Sequence, residues 1–450
     1  MMKRTLPFCA LFSLFYAGPL PAQETKSPES RHITLDEAVQ LALKHNHIVR
    51  IAAYSVQEKE HNKDIARSAY FPLLRNDTNV AHLTDTQFIG IPAGSFGTVG
   101  GTPLPTQSTI LNQGGLTIVT SGTSLTQPLS ELWKIKSAND VASAELKGTR
   151  NKARQTENEV ALRVHQLYYR ILVLQSHKEA AVAKIQANES LQAERVQQVK
   201  FGSTLEEEAI ESRAQSLEAK QDLLTTELQL SDLTMQLDDA IGLPLNTLLA
   251  LDTSVRQVAN TCEREQCLRV ALESHPEIAE AQAKVEQATA GERLAKRQYI
   301  PDVEAFARYS YADNVPFLVH NFGIFGVHLG YDLFDGGRRN AAIAEHKAQL
   351  AQAEENLARV REEIELRVQT AYNKLERTRQ MMKVSEEVLV LRTESHRVFV
   401  QQLQGGSALR SQVATAEARE LEAKTLFLQS QLEYIQANDE MTEATGQTPE

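Results

Sequence analysis

The chain has 450 residues, enough for two or three ordinary domains or one elongated one. Its 47 Lys and Arg against 58 Asp and Glu leave a formal charge of −11. The basic residues are spread through helical stretches rather than clustered, which argues against nucleic acid as a partner. Aromatic residues make up only 6%, while Ala, Gln, Glu, Leu and Arg are abundant, a composition of coiled coils rather than of a large globular core.

Residues 1–22 read as a secretory signal peptide. Lys3 and Arg4 form a basic start, Leu6 to Ala17 an apolar run too short to span a membrane, and Leu20-Pro21-Ala22 a cleavage site. Cys9 lies inside the apolar run, without the context of a lipoprotein cysteine, so no lipid anchor is expected. Residues 23–32 are polar and read as a flexible lead-in. No later segment offers 18 consecutive apolar residues, so an exported chain could cross a membrane only as β-strands. Beyond the signal segment the cysteines are Cys262 and Cys267. An oxidising compartment permits a disulfide between them, and two free thiols near a helix start is the other reading. Neither a His nor a third Cys stands at metal-ligand spacing from them.

The first repeat covers residues 33–241. Thr34 is the expected N-cap of its first helix and Glu37 the return partner of a capping box. That helix should run to Tyr70-Phe71-Pro72, because proline biases the residue before it out of the helical region. Extended structure follows to about Leu83, then a long Gly/Pro-rich loop from Asp85 to Gly115, then a strand within Leu116 to Thr126. From Pro128 to Phe201 the pattern is one uninterrupted helix of about 100 Å at 1.5 Å per residue. Val160, Val164, Leu167, Ile171 and Leu174 step by four and three along it, as a packed seam requires. The helix breaks at Phe201-Gly202-Ser203, and a second runs to Ile241, closed by Gly242 with Pro244 just beyond.

Residues 242–263 form an irregular connector, and residues 264–446 repeat the pattern, leaving a short tail at 447–450. Tyr299-Ile300-Pro301 matches Tyr70-Phe71-Pro72 with a shift of 229 residues. Further on the shift is 204: Glu363-Ile364-Glu365-Leu366-Arg367-Val368 matches Glu159-Val160-Ala161-Leu162-Arg163-Val164, Gly406-Ser407 matches Gly202-Ser203, and Gly446 matches Gly242. Two constant shifts separated by a single deletion in the Gly/Pro-rich loop define an internal duplication. Each copy reads helix, strand, loop, strand, long helix, tight break, helix. In Gly323 to Leu333, Phe325, Val327, Leu329, Tyr331 and Leu333 alternate with Gly326, His328, Gly330 and Asp332, as a membrane barrel strand would. An ordinary half-buried sheet gives the same alternation. Four strands cannot close a barrel and an open sheet edge cannot face lipid, so membrane insertion would require several chains to pool their strands.

The chain resembles the TolC family of outer-membrane efflux ducts. The resemblance rests on Ile33-Thr34-Leu35-Asp36-Glu37-Ala38 with Leu41 to Asn46, on Tyr331-Asp332-Leu333-Phe334-Asp335-Gly336-Gly337-Arg338-Arg339, on Ile241-Gly242-Leu243-Pro244, and on their order within the duplication. It implies a mainly α fold with a membrane β-barrel portion: a long antiparallel helical barrel, four β-strands per chain, and a homotrimeric 12-stranded barrel in outer-membrane lipid. The helical part would cross the periplasm. The implied function is a passive export duct in tripartite efflux or type I secretion, docked by a periplasmic adaptor (membrane fusion protein) and an inner-membrane pump. The docking tips would be Gly202, Ser203 and Leu205 with Gly405, Gly406, Ser407 and Leu409. Glu206, Glu207, Glu208 and Glu211 just past the first tip are gate candidates, since any that faces a three-fold axis becomes a ring of three carboxylates. The equivalent second-copy positions, Gln412 and Thr415, lack acids.

No GxSxG, HExxH, P-loop or dinucleotide fingerprint is present, and His45, His47, His61, His165 and His177 lie on helices without metal spacing. No catalytic constellation, cofactor or metal site is expected. The competing reading is a periplasmic coiled-coil adaptor or structural spacer, against which the two recurring hairpins with little other sequence argue.

Overall fold

The structure, a computed structural model, describes residues 31–85, 88–112, 115–245, 247–254, 262–315 and 318–449. The signal peptide expected at residues 1–22 and most of the lead-in lie outside them. In chain order the elements are β1 (Arg31–Ile33), α1 (Leu35–His45), α2 (His47–Ser68), β2 (Leu73–His82), β3 (Phe88–Ile91), β4 (Thr98–Val99), β5 (Thr102–Pro103), β6 (Thr109–Asn112), β7 (Thr117–Pro128), α3 (Leu132–Lys200) and α4 (Glu206–Ile241). There follow β8 (Leu249–Leu251), α5 (Arg264–Ser274), α6 (Pro276–Arg297), β9 (Asp302–Asp313), β10 (Asn321–Gly330), α7 (Arg338–Gln404) and α8 (Arg410–Ala444).

Two long helices set the length of the molecule: α3 has 69 residues and α7 has 67, each about 100 Å long. Their seams are equivalent. Val160, Val164, Leu167 and Ile171 are buried on α3, and Ile364, Val368, Ala371 and Leu375 at the shifted positions are buried on α7. Each long helix is flanked by short ones in sequence order: α2 and α6 pack against α3 on the strand side, α4 and α8 on the tip side, and α7 packs on α6 and α8. The apolar core lies where these sets meet, with Ile33, Ala38, Val164, Leu237, Ile241 and Ile435 among its residues.

The sequence reading of one unbroken first helix is corrected at Asn46. Asn46 ends α1 through its N–H to Ala42 O at 2.8 Å, and its Oδ1 caps α2 by accepting from Ile48 N at 2.8 Å. An Asn inside a helical pattern loses little propensity, so only the cap reveals the break. His275 does the same at the equivalent point, bonding Ala271 O at 3.0 Å and accepting from Glu277 N on Nδ1 at 3.2 Å. The capping box at Thr34 is half formed. Thr34 Oγ1 accepts from Glu37 N at 3.3 Å, but the Glu37 carboxylate pairs with Arg31 at 2.8 Å instead of returning to the cap.

Each helical end seats on the break within its own repeat. Gly242 (φ +72°) and Gly446 (φ +80°) close α4 and α8, and a Cβ there would lie 2.6 Å from His45 Cβ and 2.7 Å from His275 Cα respectively. Glycine is required for both the left-handed turn and the approach. A short parallel ladder, β1 on β8, ties the start of the described chain to the connector that sequence reading treated as irregular. Tyr168 seals it by donating from its hydroxyl to Ile33 O at 3.1 Å and Asp252 O at 3.0 Å, and burial pushes the phenol up to about 12.

The strands form an antiparallel sheet in the order β10-β9-β7-β2. The Gly/Pro-rich segment read as a loop carries two small hairpins, β3 with β6 and β4 with β5. β10 ends at Gly330, so Leu333 falls past the strand on which the alternation placed it.

Candidate functional site

Three features are candidates for function: the sheet, the two helical tips, and the polar ties between hairpins.

Residues directly opposed in an antiparallel ladder share a face. Register therefore sorts the four strands. One face carries Arg75 and Asp77 of β2, Gly122 and Ser124 of β7, Glu304 and Arg308 of β9, and Gly326 and His328 of β10. The other carries Leu74 and Val80, Leu125, Val303 and Ala307, and Phe325, Val327 and Leu329. In the single chain Phe325, Val327 and Leu329 are 87%, 65% and 66% exposed, an apolar row with nothing upon it among the described residues. Asp313, at the end of β9, is the one Asp, Glu, Lys or Arg on that face within the ladder. Its polar residues Asn76, Thr78, Ser121 and Thr123 hydrogen-bond one another at 2.8–3.2 Å, which meets their demand within the face. The two edges, β2 and β10, have no strand partner among the described residues.

The tips are built identically. At the first, Gly202 N bonds Val199 O at 3.0 Å and Ser203 N bonds Gln198 O at 2.9 Å. At the second, Gly406 N bonds Leu403 O at 3.0 Å and Ser407 N bonds Gln402 O at 2.9 Å. Gly202 (φ +71°) and Gly406 (φ +75°) take the left-handed conformation, whereas Gly405 is right-handed. Phe201, Leu205 and Leu409 stand exposed at these ends.

Three of the four acidic candidates, Glu206, Glu207 and Glu208, form the first turn of α4, where the helix dipole favours them, and Glu211 follows in the next turn. Glu208 is held by Arg195 of α3 at 2.7 Å. Glu211 accepts from Gln215 Nε2 at 3.1 Å, and Glu206 and Glu207 are exposed. The four therefore do not form one free cluster.

Sequence reasoning missed the ties between hairpins. Glu194 of α3 accepts from Ser411 N at 3.2 Å and from Ser411 Oγ, so a carboxylate of the first hairpin caps the first turn of α8 in the second. Within the second hairpin, Glu420 of α8 bonds His396 Nδ1 at 2.5 Å and Thr393 Oγ1 at 2.8 Å on α7. Burial would raise the Glu420 carboxyl, but these hydrogen bonds outweigh it and hold it below the usual range. Deeper in the bundle, His165 and Asp439 are buried together at 2.7 Å. With partners 274 residues apart in the case of His165 and 217 in the case of Glu194, no local signal could reveal them. Cys262 and Cys267 are joined by a disulfide with Cα atoms 5.6 Å apart, beside the start of α5.

Among the described residues no group of three or more His, Cys, Asp or Glu could hold a metal ion, and no helix is long and apolar enough to cross a membrane.

The fold defined by these features is that of the outer-membrane efflux channels. The channel CmeC of Campylobacter jejuni is similar over 98% of this chain and 94% of its own, with a TM-score of 0.73 and 15% identity. The open state of the Neisseria gonorrhoeae channel MtrE gives 0.72 at 14% identity over 92% of this chain and 89% of its own. VceC of Vibrio cholerae gives 0.71 at 14% identity over 92% and 97%. In sequence, residues 267–447 match the family model "Outer membrane efflux protein". No curated protein matches the chain. The resemblance to the TolC family thus holds in the whole fold and in the sequence of the second repeat.

Proposed function

We infer that this chain is one third of an outer-membrane efflux duct. Three copies close their sheets into a 12-stranded barrel in outer-membrane lipid, and their helices form a tube through the periplasm. The observation that carries this reading is the open sheet with an apolar outer face. Alternation along β10-β9-β7-β2 makes β2 of one chain antiparallel to β10 of the next, so copies can join edge to edge without breaking the pattern. Closure is the only arrangement that satisfies both edges inside hydrocarbon. The charged face then lines the lumen.

Export is passive in this reading. The glycine tips, with Phe201, Leu205 and Leu409 exposed, are the surface for a periplasmic adaptor, and an inner-membrane pump supplies energy. Glu208 and Glu211 act at the entrance, with Arg195 restraining Glu208 in the closed form. A coiled-coil adaptor or spacer would leave the apolar face of the sheet unexplained, and the family match and the channel folds support the duct over it. Fractionation tests the choice. The duct is expected in the outer membrane, released only by detergent, and a chain recovered as soluble periplasmic protein would overturn it.

A further inference from the structure

The sheet's charged face has an uneven centre. Asp77 is engaged by its neighbour Arg75, with Nε and Nη2 both 2.9 Å from Oδ1. Arg308, on the same face two strands away, has no ion-pair partner among the described residues and is exposed. Its guanidinium lies over Gly122, the residue paired with Asp77 in the β2–β7 ladder: a Cβ there would stand 2.7 Å from Nη2 and 2.9 Å from Nε, so Asp77, already engaged by Arg75, is the acid beside it. Gly122 is thus the floor that lets Arg308 lie along the wall, flanked by Ser124 and Ser310. Arg75, Asp77 and Arg308 together leave one uncompensated positive charge per chain at this level. The nearest acid along β9 on this face is Glu304, four residues away, about 13 Å at 3.3 Å per residue. That exceeds the screening length of about 8 Å at physiological salt, so Glu304 does not cancel it.

We propose that Arg308, seated on Gly122, forms a ring of three guanidinium groups that makes the barrel lumen selective for anions, of the carboxylate or phosphate type that a planar guanidinium recognises. The proposal rests on the duct reading, which places this face inside. It makes the barrel section a filter of opposite sign to the acidic helical entrance, so that cargo charge is sorted at two stations.

The test is the reversal potential of the full-length protein in planar bilayers under a KCl gradient. At about 50 mM salt, Arg308→Gln should lower the chloride-to-potassium permeability ratio roughly two-fold, with the difference fading at about 1 M, where screening shortens to about 3 Å. Arg308→Lys should keep the wild-type ratio. Should the Gln variant fail to insert, Arg308→Cys modified in separate open channels, by a cationic thiol reagent in one and an anionic one in the other, gives the same reading, the cationic adduct restoring the ratio and the anionic adduct lowering it. Channels whose ratio is unmoved by loss of this charge at low salt would overturn the proposal and leave the duct reading intact. Failure of the wild-type protein to form channels at all would overturn both.

Discussion

His275 and Asn46 occupy the same place in the two copies, and the chemical difference between them gives the molecule a pH dependence on one side only. Burial holds the His275 imidazole down to about 4 against its usual 6.5. Nδ1 accepts from Glu277 N, so the folded form wants the ring neutral. The unfolded chain takes up a proton as pH falls below about 6.5, and the folded one does not until about 4. The contribution of His275 to stability should fall across that window by about 3 kcal/mol, and should be level above it. His275→Asn should keep the cap and flatten the slope when melting temperature is followed from pH 7 to 4. An equal slope in the variant would assign the acid lability elsewhere. Near the tips, Glu194→Ala should cost about 1–2 kcal/mol locally by uncapping α8. Hydrogen exchange should then quicken at Ser411 and the residues after it, while exchange near His165 and Asp439 is unchanged.

Among the elements, the rods and tips were legible in the sequence because each rests on a repeating local rule. The seam from Val160 to Ile171 recurs from Ile364 to Leu375, and the Gly-Ser breaks recur with the same shift. The break at Asn46 was not legible, because a polar residue with good helical neighbours looks like a solvated position. Nor was the β1–β8 ladder, which is three residues long and depends on a partner more than 200 residues away. The ends of α4 and α8 give a direct check on how the copies are locked. Gly446→Ala meets both a left-handed φ and the His275 backbone, so it should destabilise by about 2 kcal/mol or more. Gly202→Ala meets the same φ in open space and should cost less. Equal thermal shifts for the two would show that the contact with His275 carries no weight. On the outer face of the sheet, Val327→Arg should lower barrel stability by about 2–4 kcal/mol if that residue faces mid-membrane, measured by refolding into lipid vesicles.

At the scale of the whole molecule, one chain leaves unfinished what every smaller part prepares. Among the described residues the sheet has two bare edges and an uncovered apolar face, and the rods bury only part of their circumference against one another. The duplication supplies two hairpins and two strand pairs, which is why the order of elements could be read from spacing, while the class of fold came from the resemblance. The number of chains could not be, because it depends on curvature that no local pattern encodes. The measurement that bears most directly on the account is native mass spectrometry of the full-length protein extracted from the outer membrane in mild detergent. The account predicts a single species containing three chains. A monomer or dimer as the only membrane-extracted form would contradict it.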